Sequence, residues 1–149
     1  ILKREIAHAN RAGTPLSILI IGVDKFKEIN DTWGHNTGDE ILRQVSQAFY
    51  DNVRSSDYVF RYGGDEFIIV LTEATQTDTL RIAERIRSRV EKTKIKSPAG
   101  DFIPLSLSIG AAMFNGHPDY ERLIQIADEA LYTAKRRGRN CVELWKPAS

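Results

Sequence analysis

The sequence has a single cysteine, Cys141, and no run of 18 apolar residues. One cysteine excludes an internal disulfide and any zinc site built from several cysteines, which fits a reducing cytosol. Because no apolar run or signal peptide is present, we expect a cytoplasmic domain that does not insert into a membrane. The 21 basic and 20 acidic residues give a formal net charge of +1. This balance indicates no nucleic-acid partner.

Length and composition predict one domain over residues 1–149. With 42% hydrophobic residues, a chain of 149 residues has room for one full core. The chain begins with Ile rather than Met, so we expect a helix over residues 1–12 to lead in from an upstream region. Cys141 has no base among its neighbours and is interpreted as a packing residue. His35 and His117 lack a third ligand at metal spacing and are set aside as zinc ligands.

Hydrophobic periodicity predicts an α/β (α+β) fold, with a mixed, mostly antiparallel sheet flanked by helices. The apolar run Leu16–Val23 predicts a central strand buried on both faces. The other predicted elements are a helix from Asp24, a helix restarting near Asp39 after a break at Gly34, a hairpin of Tyr58–Tyr62 and Phe67–Leu71, a helix over Leu80–Val90 capped by Thr75 and Asp78, a strand with one buried face over Ile103–Met113, a helix from Asp119 to Gly138, and a short strand over Val142–Trp145.

The predicted hairpin turn contains Gly63, Gly64, Asp65 and Glu66. Glycines tolerate the positive φ that a tight turn requires. Two adjacent carboxylates repel each other, so an ordinary turn would use Asn or Ser instead. Glycines also let a backbone approach a phosphate, and carboxylates hold Mg²⁺ together with phosphates. From spacing alone, a metal and phosphate site and a solvated acidic turn both remain open.

Four separated stretches occur in a fixed order: VDKFKEINDTWGHNTGDE, RYGGDEF, LSLSIGAAMF and ADEALYTAKRRGRN. They extend over nearly the whole chain, which resembles the GGDEF family of diguanylate cyclases and is similar to the output domains of globin-coupled oxygen-sensing cyclases. The resemblance implies a fold like the palm of nucleotide cyclases and polymerases. It also implies condensation of two GTP into cyclic di-GMP with release of pyrophosphate, dependent on Mg²⁺ or Mn²⁺. The implied partners are a second subunit, in a homodimer with one GTP on each, and an upstream sensory domain.

The resemblance assigns the chemistry to the two hairpin acids. Asp65 is expected to bind the metal, and either it or Glu66 to lie near the attacking 3′-hydroxyl, so both are expected to be catalytic. The backbone of Val23 is expected to be a further metal ligand. Gly63 and Gly64 are expected to contact the substrate.

Asn30 and Asp39 fall on the positions that read guanine in the resembled family. A carboxylate accepts hydrogen bonds from guanine N1 and N2, and an amide can pair with the remaining edge. Helix capping is the alternative, especially for Asp39.

Basic residues near the end of the chain are expected to bind the triphosphate. Lys135 and Arg139 would lie one helical turn apart if their helix continues through Gly138, and would reach the phosphates from one side. Lys27 is a weaker candidate for the same role. A basic helix end that complements the helix dipole, or a nucleic-acid patch, is the alternative.

A second site is predicted from RSSD, residues 54–57, which precedes the paired glycines. In the resembled family, RxxD at this spacing is the inhibitory site for the product. Arg54 offers a fork to phosphate and guanine, and Asp57 pairs with guanine or positions the arginine. Arg85 is the candidate for a further arginine at this site. A turn with a surface ion pair is the alternative.

Gly22 departs from the family pattern, in which the strand ends in Asp-x-Asp and the first acid binds the metal. Asp24, the second acid, remains. Loss of one metal carboxylate should weaken metal binding and catalysis. We therefore also consider a degenerate domain that binds GTP or cyclic di-GMP as a regulatory receptor. A third hypothesis is a palm-like nucleic-acid module, which predicts salt-sensitive oligonucleotide binding with little preference for GTP.

Overall fold

A five-stranded sheet forms the centre of the molecule. The structure is a computed structural model that describes residues 1–147. Its strands are β1 (Leu16–Val23), β2 (Tyr58–Arg61), β3 (Glu66–Thr72), β4 (Ile95–Lys96), β5 (Phe102–Ile103), β6 (Leu107–Met113) and β7 (Val142–Leu144). Its helices are α1 (Leu2–Ala12), α2 (Phe26–Trp33), α3 (His35–Asn52), α4 (Gln76–Glu91) and α5 (Tyr120–Arg136). Among the helices of residues 1–147, none combines the length and hydropathy that crossing a bilayer requires.

The strand order of the sheet is β2-β3-β1-β6-β7, with β1 at its centre. β1 runs antiparallel to β3 and β6, β2 runs antiparallel to β3, and β7 pairs with β6 in parallel. The mixed, mostly antiparallel sheet that the sequence predicts is thereby confirmed. Every residue of β1 is buried, as its apolar run predicts for a strand covered on both faces.

Helices cover both faces of the sheet. Leu19 and Ile21 of β1 belong to a core that includes residues of α2, α3 and α4. Ile18 and Ile20 point the other way, since side chains alternate along a strand, and belong to a core with α1 and α5. The end of β1 is thus held between two packed layers.

The two helices after β1 begin at other residues than the sequence predicts. α2 begins at Phe26 rather than at Asp24, and α3 begins at His35 rather than near Asp39. Gly34 has a φ of 91° and separates the two helices by itself, because glycine adopts this conformation at little cost. The polar first turn of α3 has no apolar stripe, so periodicity did not reveal it.

The prediction of one half-buried strand over Ile103–Met113 is wrong. Its first residue, Ile103, pairs in a separate two-stranded sheet of β4 and β5, and β6 starts only at Leu107. β6 is buried on both faces, because α5 packs closely against its small residues. A Cβ atom added to Gly110 would lie 2.2 Å from the backbone nitrogen of Leu131 in α5. The alternation of large and small residues therefore reflects a close helix rather than solvent.

Gly110→Ala is expected to lower the free energy of unfolding by about 1–3 kcal/mol, because the added methyl group has no room beneath α5. Denaturant unfolding followed by circular dichroism measures the change. Gly63→Ala is the control, since a Cβ atom there meets nothing within 4 Å. Equal stability of the two variants would contradict the close packing of α5 on β6.

The caps of α4 and α5 are confirmed. Thr75 and Asp78 form a reciprocal capping box at the start of α4. The side chain of Asp119 accepts a backbone hydrogen bond at the start of α5. α5 ends at Arg136, and Gly138 follows with a φ of 113°.

The condition for Lys135 and Arg139 to lie one helical turn apart, a helix that continues through Gly138, is not met. Lys135 lies in the last turn of α5, but the helix ends before Gly138. Arg139 lies in the turn beyond it with a φ of 66°, which is a left-handed conformation. The two cations are therefore carried by a helix and by a separate turn, which we call the 138–140 turn.

Candidate active site

The hairpin glycines leave an open surface. Neither Gly63 nor Gly64 has a positive φ, so the predicted conformational reason for these glycines is wrong. A Cβ atom on either residue would meet no atom within 4 Å. Arg61 holds the turn, since its Nε and Nη2 donate to the carbonyl oxygens of Gly63 at 3.1 Å and Gly64 at 2.7 Å. The backbone is thus fixed in place and accessible to a ligand.

The acidic hairpin lies against the end of β1. Gly22 is paired with Glu66 across the β1–β3 register, and the Val23 nitrogen donates to the carbonyl oxygen of Asp65 at 3.0 Å. Asp65 and Glu66 are both half-buried. The structure therefore brings together the acids, Gly22 and the Val23 backbone, which lie more than 40 residues apart in the sequence.

Lys135 reaches the same place from α5. A Cβ atom built on Gly22 would lie 3.5 Å from Cε and 3.7 Å from Nζ of Lys135, which is ordinary van der Waals contact. Position 22 thus has room for a side chain, and that side chain would contact an ammonium group. An ammonium at the end of β1, on the strand position that pairs with Glu66 of β3, can attract an anionic phosphate to this end of the sheet.

Asp24 has a structural role. Its carboxylate is buried and accepts hydrogen bonds from Ser106 Oγ at 2.7 Å, Ser108 Oγ at 2.6 Å and the Asn140 nitrogen at 3.1 Å. These contacts occupy both carboxylate oxygens and tie the strand end to the 138–140 turn. Asp24 therefore does not replace an acid at position 22.

The hairpin acids can bind a metal ion only if phosphate or water supplies the remaining ligands. Within residues 1–147, no three His, Cys, Asp or Glu side chains are grouped as a metal site. Mg²⁺ commonly uses one or two protein carboxylates and takes its other ligands from water and substrate phosphates. Asp65 and Glu66 meet that smaller requirement, and both lie at the open surface of the hairpin glycines.

Asn30 carries an unpaired buried oxygen. Its Oδ1 has no hydrogen-bond partner among the described residues, although buried polar atoms are almost always paired. Gly38 makes room for this amide, because a Cβ atom at that position would overlap Asn30 Oδ1. The amide of Asn30 therefore has hydrogen-bonding capacity that the described residues do not use.

Asp39 lies next to Gly38, on the second turn of α3. Because α3 begins at His35, Asp39 does not cap the helix, and that alternative is excluded. Asp39 is exposed and lines a cavity of about 480 Å³ together with Leu42, Arg61 and Phe67. The cavity extends along α3 from Asp39 and reaches Arg61, which holds the hairpin turn.

The basic candidates are distributed over two surfaces. Arg139 lines a cavity of about 630 Å³ whose wall includes Lys25 and Asn140. Lys27 is exposed on α2 and is not among the residues that line this cavity. Of the three predicted cations, Lys135 is therefore the one that the structure places at the hairpin.

The residues of the second predicted site converge at the end of α3. The buried carboxylate of Asp57 accepts hydrogen bonds from the Arg54 nitrogen at 2.8 Å and the Thr72 nitrogen at 3.0 Å. The Arg54 guanidinium, 3.6 Å from Asp57, is about half exposed and donates to the Thr72 carbonyl. Arg85 Nε donates to Asn52 Oδ1 at 3.2 Å, two residues before Arg54. These contacts favour Asp57 as the residue that positions the arginine.

A family model described as "Diguanylate cyclase, GGDEF domain" matches residues 1–141. The chain belongs to this family. Its relatives include diguanylate cyclase DosC of Escherichia coli (strain K12), which is 87% identical over 146 residues covering 98% of this chain and 32% of DosC. Response regulator PleD of Caulobacter vibrioides (strain NA1000 / CB15N) is 42% identical over 139 residues, covering 92% of this chain and 31% of PleD. The chain thus spans about a third of the length of these relatives.

Solved structures confirm the predicted fold. The GGDEF domain of DgcB from Caulobacter crescentus, in complex with c-di-GMP, matches with a TM-score of 0.93 at 30% identity, covering 98% of this chain and 86% of that chain. The active GGEEF domain of a diguanylate cyclase from Vibrio cholerae matches with a TM-score of 0.91 at 32% identity, covering 99% of this chain and 93% of that chain.

Asp24 and Asn140 help to shape the site of this GGDEF domain, but the sequence did not predict them as site residues. Asp24 and Asn140 connect the strand end to the 138–140 turn by a contact between residues 116 positions apart. The signal available in the sequence was a polar residue that directly follows a fully buried strand.

Cys141 donates to the Ala134 carbonyl at 3.4 Å, and burial raises the pKa of its thiol. An un-ionised thiol agrees with the packing role that the sequence predicts.

Proposed function

We propose that this GGDEF domain is a diguanylate cyclase that condenses two GTP into cyclic di-GMP and pyrophosphate, with low activity because of Gly22. The proposal rests on one observation above all: the acidic hairpin, the Gly22 end of β1 and Lys135 meet at one end of the sheet's inner strands. The identity to named diguanylate cyclases supports it. We propose that the domain acts in the cytoplasm.

Guanine recognition is assigned to Asn30 and Asp39. The exposed carboxylate of Asp39 can accept hydrogen bonds from guanine N1 and N2. The amide of Asn30, whose Oδ1 has no partner within the described residues, can pair with the remaining edge of the base. Adenine presents a different pattern of donors and acceptors on that edge. These two residues therefore select GTP over ATP.

Triphosphate binding is assigned to Lys135 and Arg139, with Lys27 as a weaker third contributor. Lys135 approaches the hairpin, whose bare glycine backbone lets phosphate oxygens come close. Arg139 extends from the 138–140 turn into the larger cavity. Two cations on different elements can hold successive phosphates of one nucleotide.

In the reaction, the 3′-oxygen of one GTP bonds to the α-phosphorus of a second GTP while the bond from that phosphorus to the β-phosphate bridge breaks. Two such transfers close the ring and release two pyrophosphates, which requires a homodimer with one GTP on each subunit. The 3′-hydroxyl proton passes to Asp65 or Glu66. Mg²⁺ or Mn²⁺ at Asp65, Glu66 and the Val23 carbonyl would neutralise phosphate charge and ease alkoxide formation.

Product inhibition is assigned to the surface of Arg54, Asp57 and Arg85. The half-exposed guanidinium of Arg54 is positioned by Asp57 and can bind phosphate or guanine. We further propose that the domain, residues 1–149, is the output part of a longer chain with an upstream sensory domain. The resemblance to globin-coupled cyclases makes an oxygen sensor the expected type.

Incubation at high protein concentration with GTP and Mg²⁺, followed by chromatography, tests the proposed function. We expect cyclic di-GMP and pyrophosphate in a ratio of one to two, formed slowly, and no cyclic dinucleotide when ATP replaces GTP. Samples with chelator are the control and should form no product.

A second function, a receptor for GTP or cyclic di-GMP, is favoured by Gly22, because the site has only two carboxylates for a metal. Binding of cyclic di-GMP without any product from GTP would support the receptor and contradict the cyclase.

A further inference from the structure

The 138–140 turn contains two adjacent residues in an unusual backbone conformation. Arg139 has a φ of 66° and Asn140 a φ of 48°. Residues with a side chain rarely adopt the left-handed region, and a chain that does so twice in succession needs contacts that hold it there. Asp24 provides one such contact from the sheet, at the Asn140 nitrogen.

The second contact comes from α4. Nη1 of Arg87 donates to Oδ1 of Asn140 at 2.8 Å, and Nδ2 of Asn140 donates to Oε2 of Glu91. Both polar ends of the Asn140 side chain are therefore held by one helix. The hydrogen bond from Asn140, together with the charge of Arg87, lowers the pKa of Glu91.

Arg87 differs from the other arginines of its helix. Its side chain is 16% exposed, against 42% for Arg89. Two of its nitrogens, Nε and Nη2, bind both carboxylate oxygens of Glu84, at 2.9 and 2.5 Å. Because this pairing fixes the plane of the guanidinium, the remaining Nη1 points at the turn. A lysine has no such planar fork.

We propose that Arg87 is a positioning residue that acts through Asn140 to hold Arg139 toward the triphosphate. The proposal rests on the proposed function, which assigns Arg139 to the phosphates. Arg87 itself contacts neither the hairpin acids nor the guanine-reading candidates. If Arg87 served only to stabilise α4, its pairs with Glu84 and Glu91 on the same helix would be sufficient.

The test compares two ligands by calorimetry at equilibrium. The first is 3′-deoxy-GTP, which lacks the attacking hydroxyl and is not turned over, and the second is guanosine, which lacks phosphates. Arg87→Gln is expected to weaken binding of 3′-deoxy-GTP about tenfold and to leave guanosine binding unchanged, because only phosphate contacts depend on Arg139. Arg87→Lys should recover part of the loss. Arg89→Gln is the matched control on the same helix and should bind both ligands like the parent chain.

A double-variant cycle separates positioning from a general structural effect. Arg139→Ala alone should weaken the binding of 3′-deoxy-GTP, and adding Arg87→Gln should cause no further loss of affinity. Additive losses, an equal loss for guanosine, or an unchanged affinity in Arg87→Gln would each overturn the proposal. If Arg139→Ala has no effect, the assignment of Arg139 to the phosphates fails instead, and Arg87 has nothing to position.

A second variant covers the possibility that Arg87→Gln does not fold, as judged by its circular dichroism spectrum. Asn140→Gly breaks the same contact from the other side, and glycine tolerates the left-handed conformation. Asn140→Gly is expected to weaken the binding of 3′-deoxy-GTP but not the binding of guanosine. Parent-like binding of both ligands by Asn140→Gly would also overturn the proposal.

Discussion

Gly22→Asp is expected to raise the rate of cyclic di-GMP formation by about 10–100-fold, because the proposed metal site, which has two carboxylates, gains a third. The backbone permits this side chain, since Gly22 does not have a positive φ and a Cβ atom there makes ordinary contact with Lys135. The new carboxylate would lie on the same face as Glu66, its partner across the register. The rate is measured by chromatography at saturating GTP and Mg²⁺.

Two control variants at position 22 separate charge from shape. Gly22→Asn has nearly the same volume as the aspartate variant but no charge, so it should not raise the rate. Gly22→Ala should increase stability by about 0.5–1 kcal/mol, because glycine is unfavourable inside a strand, and should leave the rate unchanged. Equal rates in the aspartate and asparagine variants would show that position 22 is not a metal position.

Asp39→Ala is expected to weaken 3′-deoxy-GTP binding by about 10–100-fold, which is the usual effect of losing a hydrogen bond to a charged group. The affinity for ATP should not change, because Asp39 has no matching donors on adenine. The measurement is calorimetry with both nucleotides, and the selectivity for guanine is the ratio of the two dissociation constants.

Glu40 provides the matched control for Asp39. It is the next residue on α3, but its carboxylate is paired with Arg43, which lowers its pKa to about 2. Glu40→Ala should therefore bind both nucleotides as the parent does. If Asp39→Ala lost affinity for ATP and 3′-deoxy-GTP equally, its role would be structural and the guanine assignment would be wrong.

The sequence predicts the larger elements because burial leaves a periodic pattern. The apolar run of β1 and the stripes of α4 and α5 led to the right elements, and the four family stretches led to the right fold. The half-buried strand over Ile103–Met113 was wrong because small residues under a close helix imitate a solvent-exposed face. Periodicity does not distinguish the two causes.

The candidate site was predicted in part. The local pattern of the turn pointed to the hairpin acids, and the family resemblance pointed to Asn30. The reason for Gly63 and Gly64 was not predicted, since an open surface above the backbone has no pattern in the sequence. The contacts of Asp24 with Asn140, and of Arg87 with Asn140, join residues 116 and 53 positions apart. Such contacts depend on how the elements pack, so the sequence alone did not reveal them.

A crystal structure of the domain with 3′-deoxy-GTP and Mg²⁺ tests most directly that the acidic hairpin and the end of β1 form the nucleotide site. The expected result is guanine beside Asn30 and Asp39, phosphates over Gly63 and Gly64, and Lys135 in contact with a phosphate oxygen. A nucleotide bound at the surface of Arg54 and Arg85, with the hairpin free, would contradict it.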